Sequence, residues 1–339
     1  MRKRTHILLM ASIFLLLSAC ESLGEASDRE DDKKMRLANA TPEGRSLSDA
    51  LYLFGDIVEE ETDGEIDVEV YTNSQVGGDR EVFEGMQINT IQGATISTGP
   101  ISQFAPRFDV LDLPFLFPDE ESAYEVLDGP IGEDLLADLP DQNVIGLNYW
   151  ENGYRTLSND IREIETLEDV QGLDLRTLES QMHIRLWQQL GANPTPINYG
   201  ELYLSMDQGT VDGQENPVGN VVNDNFYEVQ QYITRTDHIY NASPLMLSKP
   251  FWDSLTTEEQ EIISEAADKV RDYQRQLNRE ETEDSYQYLE EQGMTVTELS
   301  EEEQERFHEA VEPIYESYEQ SENGDLMKRI LKEVESVDN

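Results

Sequence analysis

Residues 172–180 read GLDLRTLES. Leu173, Leu175 and Thr177 alternate with Asp174 and Arg176, the period-two pattern of a short strand with one buried face. Residues 181–190 continue with helical spacing and stop near Gly191, so the stretch is a strand that feeds a helix. Arg176 is the residue out of place. An arginine in a buried strand needs an anion or water beside it, because an unpaired buried charge is strongly unfavourable. Asp174 and Glu179 are local candidates for that role, and a bound ligand is another.

The same rhythm extends outward. A first strand is expected at 35–40, followed by helical spacing at Leu47, Leu51, Phe54 and Val58, with Gly64 as a stop. Ile66, Val68 and Val70 alternate as a second strand. Val82, Phe83 and Met86 open another helix after Gly77-Gly78, and 92–97 and 144–150 read as further strands. A second helix is expected over about 200–208, then a short strand running into Asp212-Gly213, and an extended segment at 236–247. Strand–helix alternation of this kind predicts an α/β fold.

Thr256 and Glu259 form a capping box. Ile262, Ala266, Val270, Tyr273 and Leu277 then keep helical period toward Gly293. One helix of that length spans ~55 Å, which suits a strut lying across two lobes; a break near Asn278 is the competing expectation. Ser300 with Glu303 caps a further helix, and 326–334 forms a last one.

With 24 basic against 72 acidic residues, the 339-residue chain carries a formal charge of −48. Such a surface repels nucleic acid and anionic lipid. At molar salt the screening length falls to ~3 Å, so the composition reads as adaptation to high salt. The N-terminus begins MRKR, continues with a short apolar run at 7–17, and reaches Leu17-Ser18-Ala19-Cys20. Cys20 is the sole cysteine, so no internal disulfide can form. The run resembles the signal segment (1–19) and lipobox of bacterial lipoproteins, in which the cysteine is acylated. Residues 20–34 read as a flexible tether, placing the folded part outside the cytoplasmic membrane, anchored by lipid.

Catalytic signatures are missing. His183, His238 and His308 form no HExxH pair and each reads as a core or surface residue. There is no GxSxG elbow, Walker loop or GxGxxG. Acidic runs such as Glu59-Glu60-Glu61 read as solvated faces. No metal, cofactor or enzymatic activity is expected.

Three polar groups remain: Arg176; Arg155, in YWENGYR (149–155) just after the apolar strand; and Asn216, in VDGQENP (211–217). Pro217 holds Asn216 away from helical geometry. Two guanidinium forks and a carboxamide suit recognition of a carboxylate. Pairing of each arginine with a local acid is the alternative reading.

From residue 34 to about 335 the chain resembles the substrate-binding subunits of tripartite ATP-independent periplasmic (TRAP) transporters, of the DctP type. The resemblance rests on YTNSQVGGDREVFEGMQ (71–87), VLDLPFLF (110–117), LDGPIG (127–132), YWENGYR, GLDLRT (172–177), LGANPTP (190–196), GELYLSMDQGTVDGQENP (200–217) and FYEVQ (226–230). It implies a two-lobed α/β fold with a cleft between the lobes and a long helix spanning both. Lobe I would comprise 35–151 and 243–281, and lobe II 152–242 and 282–335. It implies further that Arg176, Arg155 and Asn216 clamp a ligand carboxylate, with Tyr199, Glu179, Ser97, Thr98, Trp150 and Glu43 as companions and Gln214 and Glu215 as possible structural residues. The lobes would close on a small organic acid, a sugar acid such as glucuronate or galacturonate or a four-carbon dicarboxylate, and deliver it to a membrane permease. Rival readings are an ABC-type receptor, a lipid-tethered ligand sensor and a secreted hydrolase.

Overall fold

Nine strands organise the computed structural model, which describes residues 33–337. They are β1 (Lys33–Ala38), β2 (Ile66–Tyr71), β3 (Gly93–Thr95), β4 (Val144–Asn159), β5 (Asp174–Thr177), β6 (Asn193–Pro196), β7 (Gly213–Pro217), β8 (Tyr232–Ser248) and β9 (Thr295–Glu298). The expected signal segment and Cys20 lie outside the described residues. The tether ends earlier than expected, since Lys33 already belongs to β1.

β4 and β8 pair antiparallel from Val144↔Ser248 to Asn159↔Tyr232. At one end β3 joins β8 at Ala94↔Met246, and β1 joins β3 in parallel at Leu37↔Gly93, with β2 outermost. At the other end β7 pairs with β4 from Arg155↔Pro217 to Asn159↔Gly213. β5 and β6 then extend that side in parallel, and β9 adds to β8. The long pair thus serves both halves of a two-lobed α/β fold.

Two expectations change here. β4 continues through YWENGYR by means of register shifts at Glu151/Gly153 and Arg155/Leu157, so Arg155 lies within the strand. QENP is itself strand β7, and the residues before Gly213 are turn. The cause is the same in both: the second half of β4 and β7 supply each other's hydrogen-bonding edge.

The helix Thr257–Gln292 runs unbroken for 36 residues, or ~54 Å. Its capping box forms as expected, with Glu259 N donating to Thr256 Oγ1 at 3.2 Å, and it ends at Gly293 with φ 96°. Ile263, Ala266 and Val270 join a core with Leu37, Phe54 and Trp150, while Leu289 joins another with Leu202, Val218 and Phe226. No break occurs at Asn278. Its carboxamide is spent on Glu151 of β4 and on the Ser46 hydroxyl rather than on the helix backbone. Among the described residues no helix is long and apolar enough to cross a membrane.

Candidate functional site

In α/β sheets, ligands settle outside the carboxyl ends of parallel strands. Here those ends converge on one cavity. Ala40 and Thr41 follow β1, Thr95 ends β3, Leu178 follows β5, Tyr199 follows β6, and Asn216 sits near the end of β7; Leu47, Asp79, Ser97, Asn152, Asn220 and Ser243 complete the wall. The cavity holds about 20 Å³, room for about one water. A second cavity of about 490 Å³, among Phe115, Tyr154, Asp237 and Phe307, shares no lining residue with it. β4 sends Asn152 to the first and Glu151 and Gly153 to the second. The smaller cavity is the candidate site, because the unusual charge lies beside it.

That charge is Arg176. It is 1 % exposed. Its Nε donates to the Ile197 carbonyl at 2.9 Å, and Nη1 is buried without a partner. Neither local acid serves it. Asp174 is exposed and accepts from Asn193 at 3.0 Å. Glu179 is part-exposed, and its backbone oxygen accepts from Gln103 at 2.7 Å. Burial, reinforced by the charge of Arg155, pulls the Arg176 pKa down to about 10, so it stays cationic at neutral pH. Its guanidinium lies 5.8 Å from the centre of the Tyr199 ring. Asp79 also feels this charge, yet burial pushes its carboxyl up to about 7 against the pull of Arg176 and Arg155.

Arg155 is equally buried but differently employed. Its Nε and Nη2 grip the Glu215 carboxylate, Nη1 donates to Asn241 Oδ1 at 3.1 Å, and Nη2 reaches Asn216 Oδ1 at 3.2 Å. Glu215 also meets His183 Nδ1 at 3.3 Å and His238 Nε2 at 3.1 Å, and His183 faces Asp112 at 3.5 Å. Burial alone would raise the Glu215 pKa; Arg155 and His183 outweigh it and hold the carboxyl well below its usual range. The expectation of two free guanidinium forks becomes one free and one filled, because the acid that fills the second comes from β7 across the sheet.

Of the residues expected to bind the ligand, Asn216, Tyr199 and Ser97 line the cavity. Tyr199 bonds Asp224 through its hydroxyl, and Ser97 donates to Asn241 Oδ1 at 3.0 Å. Three companions are placed elsewhere. Thr98 turns its hydroxyl to Asp112 at 2.6 Å. Trp150 is fully buried edge-on to Phe54 in the core, where its apolar area is worth more than at a wet cleft. Glu43 is exposed and off the cavity wall. Sequence reasoning missed Asp79, Thr95, Asn152 and Asn220. Asn152 stood inside the quoted YWENGYR, and Asn220 follows Asn216 by four residues, one helical turn. Among the described residues no group of His, Cys, Asp or Glu is placed to hold a metal ion.

Residues 37–321 match the family of bacterial extracellular solute-binding proteins, family 7 (DctP). The chain belongs to this family. Among its relatives is the 2,3-diketo-L-gulonate-binding periplasmic protein of Escherichia coli K12, 31% identical over 264 residues, which cover 78% of this chain and 80% of that one. The sugar-acid-binding protein of Advenella mimigardefordensis, solved with galactonate, is 35% identical with TM-score 0.88 over 90% of this chain and 98% of its own. A TRAP solute-binding protein of Chromohalobacter salexigens, solved with D-glucuronate, is 30% identical with TM-score 0.85 over 88% and 99%. Members of the family are transport receptors, not enzymes, and their partners are a small ligand and the membrane permease.

Proposed function

We propose that this chain captures a small organic carboxylate for a TRAP permease, with Arg176 as the group that receives the anion. The observation that carries the reading is a buried guanidinium whose Nη1 has no partner, beside a cavity at the strand ends. A charge so placed is unfavourable in the empty protein and becomes favourable once a carboxylate supplies charge-assisted hydrogen bonds, each worth about 1.5–3 kcal/mol. Asn216, Tyr199 and Ser97 contact the ligand, Glu179 stands at the rim, and Arg155 acts through Asn216 by fixing its oxygen. The chemistry of this wall matches sugar acids, since most of its polar groups are neutral.

Lobe I is assigned to 35–151 and 243–281 and lobe II to 152–242 and 282–335. Arg329 of the last helix reaches Asp134 at 3.4 Å, so that helix straps lobe II back onto lobe I. Ligand contacts available only when the lobes are shut shift the protein toward the shut form. Cys20 carries a lipid anchor, and the acidic surface serves a saline habitat; a mass increment on a Cys20 peptide and a drop in melting temperature on desalting test these two points.

The decisive experiment is a thermal-shift screen of organic acids at molar salt. One carboxylate raises the melting temperature, and Arg176→Ala removes that shift while the unliganded protein stays folded. Ligand binding undiminished in Arg176→Ala overturns the assignment.

A further inference from the structure

Among the described residues, buried polar atoms around the cleft without a partner include Arg176 Nη1, Arg45 Nε, Thr95 Oγ1 and Asn220 Oδ1. Thr95 and Asn220 line the cavity itself and are 3 % and 1 % exposed. The orientation of the Asn220 carboxamide follows from a chain of contacts that begins at a fixed charge. Arg155 Nη2 can only donate, so the Asn216 atom facing it at 3.2 Å is the oxygen. Asn220 approaches that same oxygen at 3.2 Å and must present its nitrogen. Its own oxygen is left over as a buried acceptor.

An acceptor oxygen rejects a carboxylate and calls for a hydroxyl donor. The other two guanidiniums near the cavity are engaged, Arg155 by Glu215 and Arg45 by Glu281 at 2.7 Å and by Asn152 at 2.9 Å. A second carboxylate on the ligand would therefore meet the Asn220 oxygen and Asp79, with no free cation to receive it. We propose that Thr95 and Asn220 read ligand hydroxyls, making the cleft selective for polyhydroxylated monocarboxylates over unsubstituted acids and dicarboxylates of the same length. This rests on Arg176 as the carboxylate receptor and adds which carboxylates pass. Sites built to hydrogen-bond a hydroxyl discriminate strongly against analogues lacking it, because the site's polar groups are then left unpaired.

Isothermal calorimetry at pH 7 in molar salt tests this with D-galactonate, D-gluconate and D-glucuronate, then hexanoate, adipate and galactitol. The tightest hydroxy acid binds at least about a hundredfold better than hexanoate or adipate. Thr95→Val keeps the side-chain shape and removes the hydroxyl. It weakens the hydroxy acid about tenfold and leaves hexanoate within about threefold. Asn220→Ala acts in the same direction, and Thr95→Val alone carries the test if Asn220→Ala fails to fold. Hexanoate or adipate binding as tightly as the best hydroxy acid overturns the hydroxyl reading and leaves the carboxylate reading standing. Equal losses for all acids in both variants do the same. Galactitol binding as tightly as galactonate overturns the carboxylate reading instead, and binding of none of the probes overturns both.

Discussion

Arg155 and Arg176 are equally buried, on the two strands that flank β7 in one sheet, and have opposite surroundings. Arg155 meets a carboxylate, two carboxamide oxygens and a backbone carbonyl. Arg176 meets one backbone carbonyl. The first is a finished internal pair that holds β4 to β7. The second is an unfinished pair whose other half must come from outside. Burial alone therefore does not distinguish a structural cation from a receiving one; the count of satisfied donors does.

The largest test of this contrast is Glu215→Gln. It strands Arg155 among histidines and lowers the stability of the unliganded protein by about 3–5 kcal/mol, read by denaturant unfolding. The Glu215 contribution has a sign in pH as well. Its folded pKa is depressed, so the stabilisation is present above the unfolded value and is lost as pH falls through the folded one; Glu215→Gln flattens that acid limb. A loss no bigger than that of an exposed substitution would break the contrast.

Arg176→Met runs the other way. Replacing an unpaired buried charge with an apolar side chain of similar length leaves the empty protein as stable or more stable, by about 1–3 kcal/mol, while ligand binding disappears. A marked fall in the melting temperature of the empty variant would show that Arg176 is as structural as Arg155.

Asp79 sharpens the comparison through pH. Its pKa near 7 in the folded protein lies above the unfolded value, so it takes up protons on folding. Its effect on stability is unfavourable above about 7 and fades as pH falls from there toward the unfolded value. A neutral Asp79 also tolerates an anion at Arg176 better than a charged one. Carboxylate affinity accordingly falls as pH rises from 6 to 8, and Asp79→Asn removes most of that slope in calorimetry. The smallest effect is a control distant from both arginines. Thr256→Ala deletes the cap of the long helix, lowers stability by about 1 kcal/mol, and leaves ligand affinity unchanged.

The α/β rhythm and the long helix were legible because period, caps and stops are local. The full extent of β4 and the strand nature of QENP were not, since each depends on an edge supplied by the other, some sixty residues away in sequence. The same distance hid the fate of Arg155. In a chain with 72 acids every arginine has local candidates, and only the fold reveals that Glu215 fills one fork while Asp174 and Glu179 leave the other open. Trp150 was misplaced because an aromatic side chain at a crossover suits a core and a cleft equally in sequence. Asn220 escaped notice because its meaning lies in which of its two terminal atoms is already engaged.

The register of β4 against β8 slips at three places, and the middle slip, between Glu151 and Gly153, brackets Asn152. An inserted residue lets a two-stranded ribbon change its twist with little loss of hydrogen bonding, whereas the rod of helix beside it has no such slack. The ribbon is therefore more easily twisted at that point, beside the cavity wall, than along its regular stretches. Asn152 sits at this slip and on the cavity wall at once, so the most pliable place of the ribbon and the candidate site share a residue.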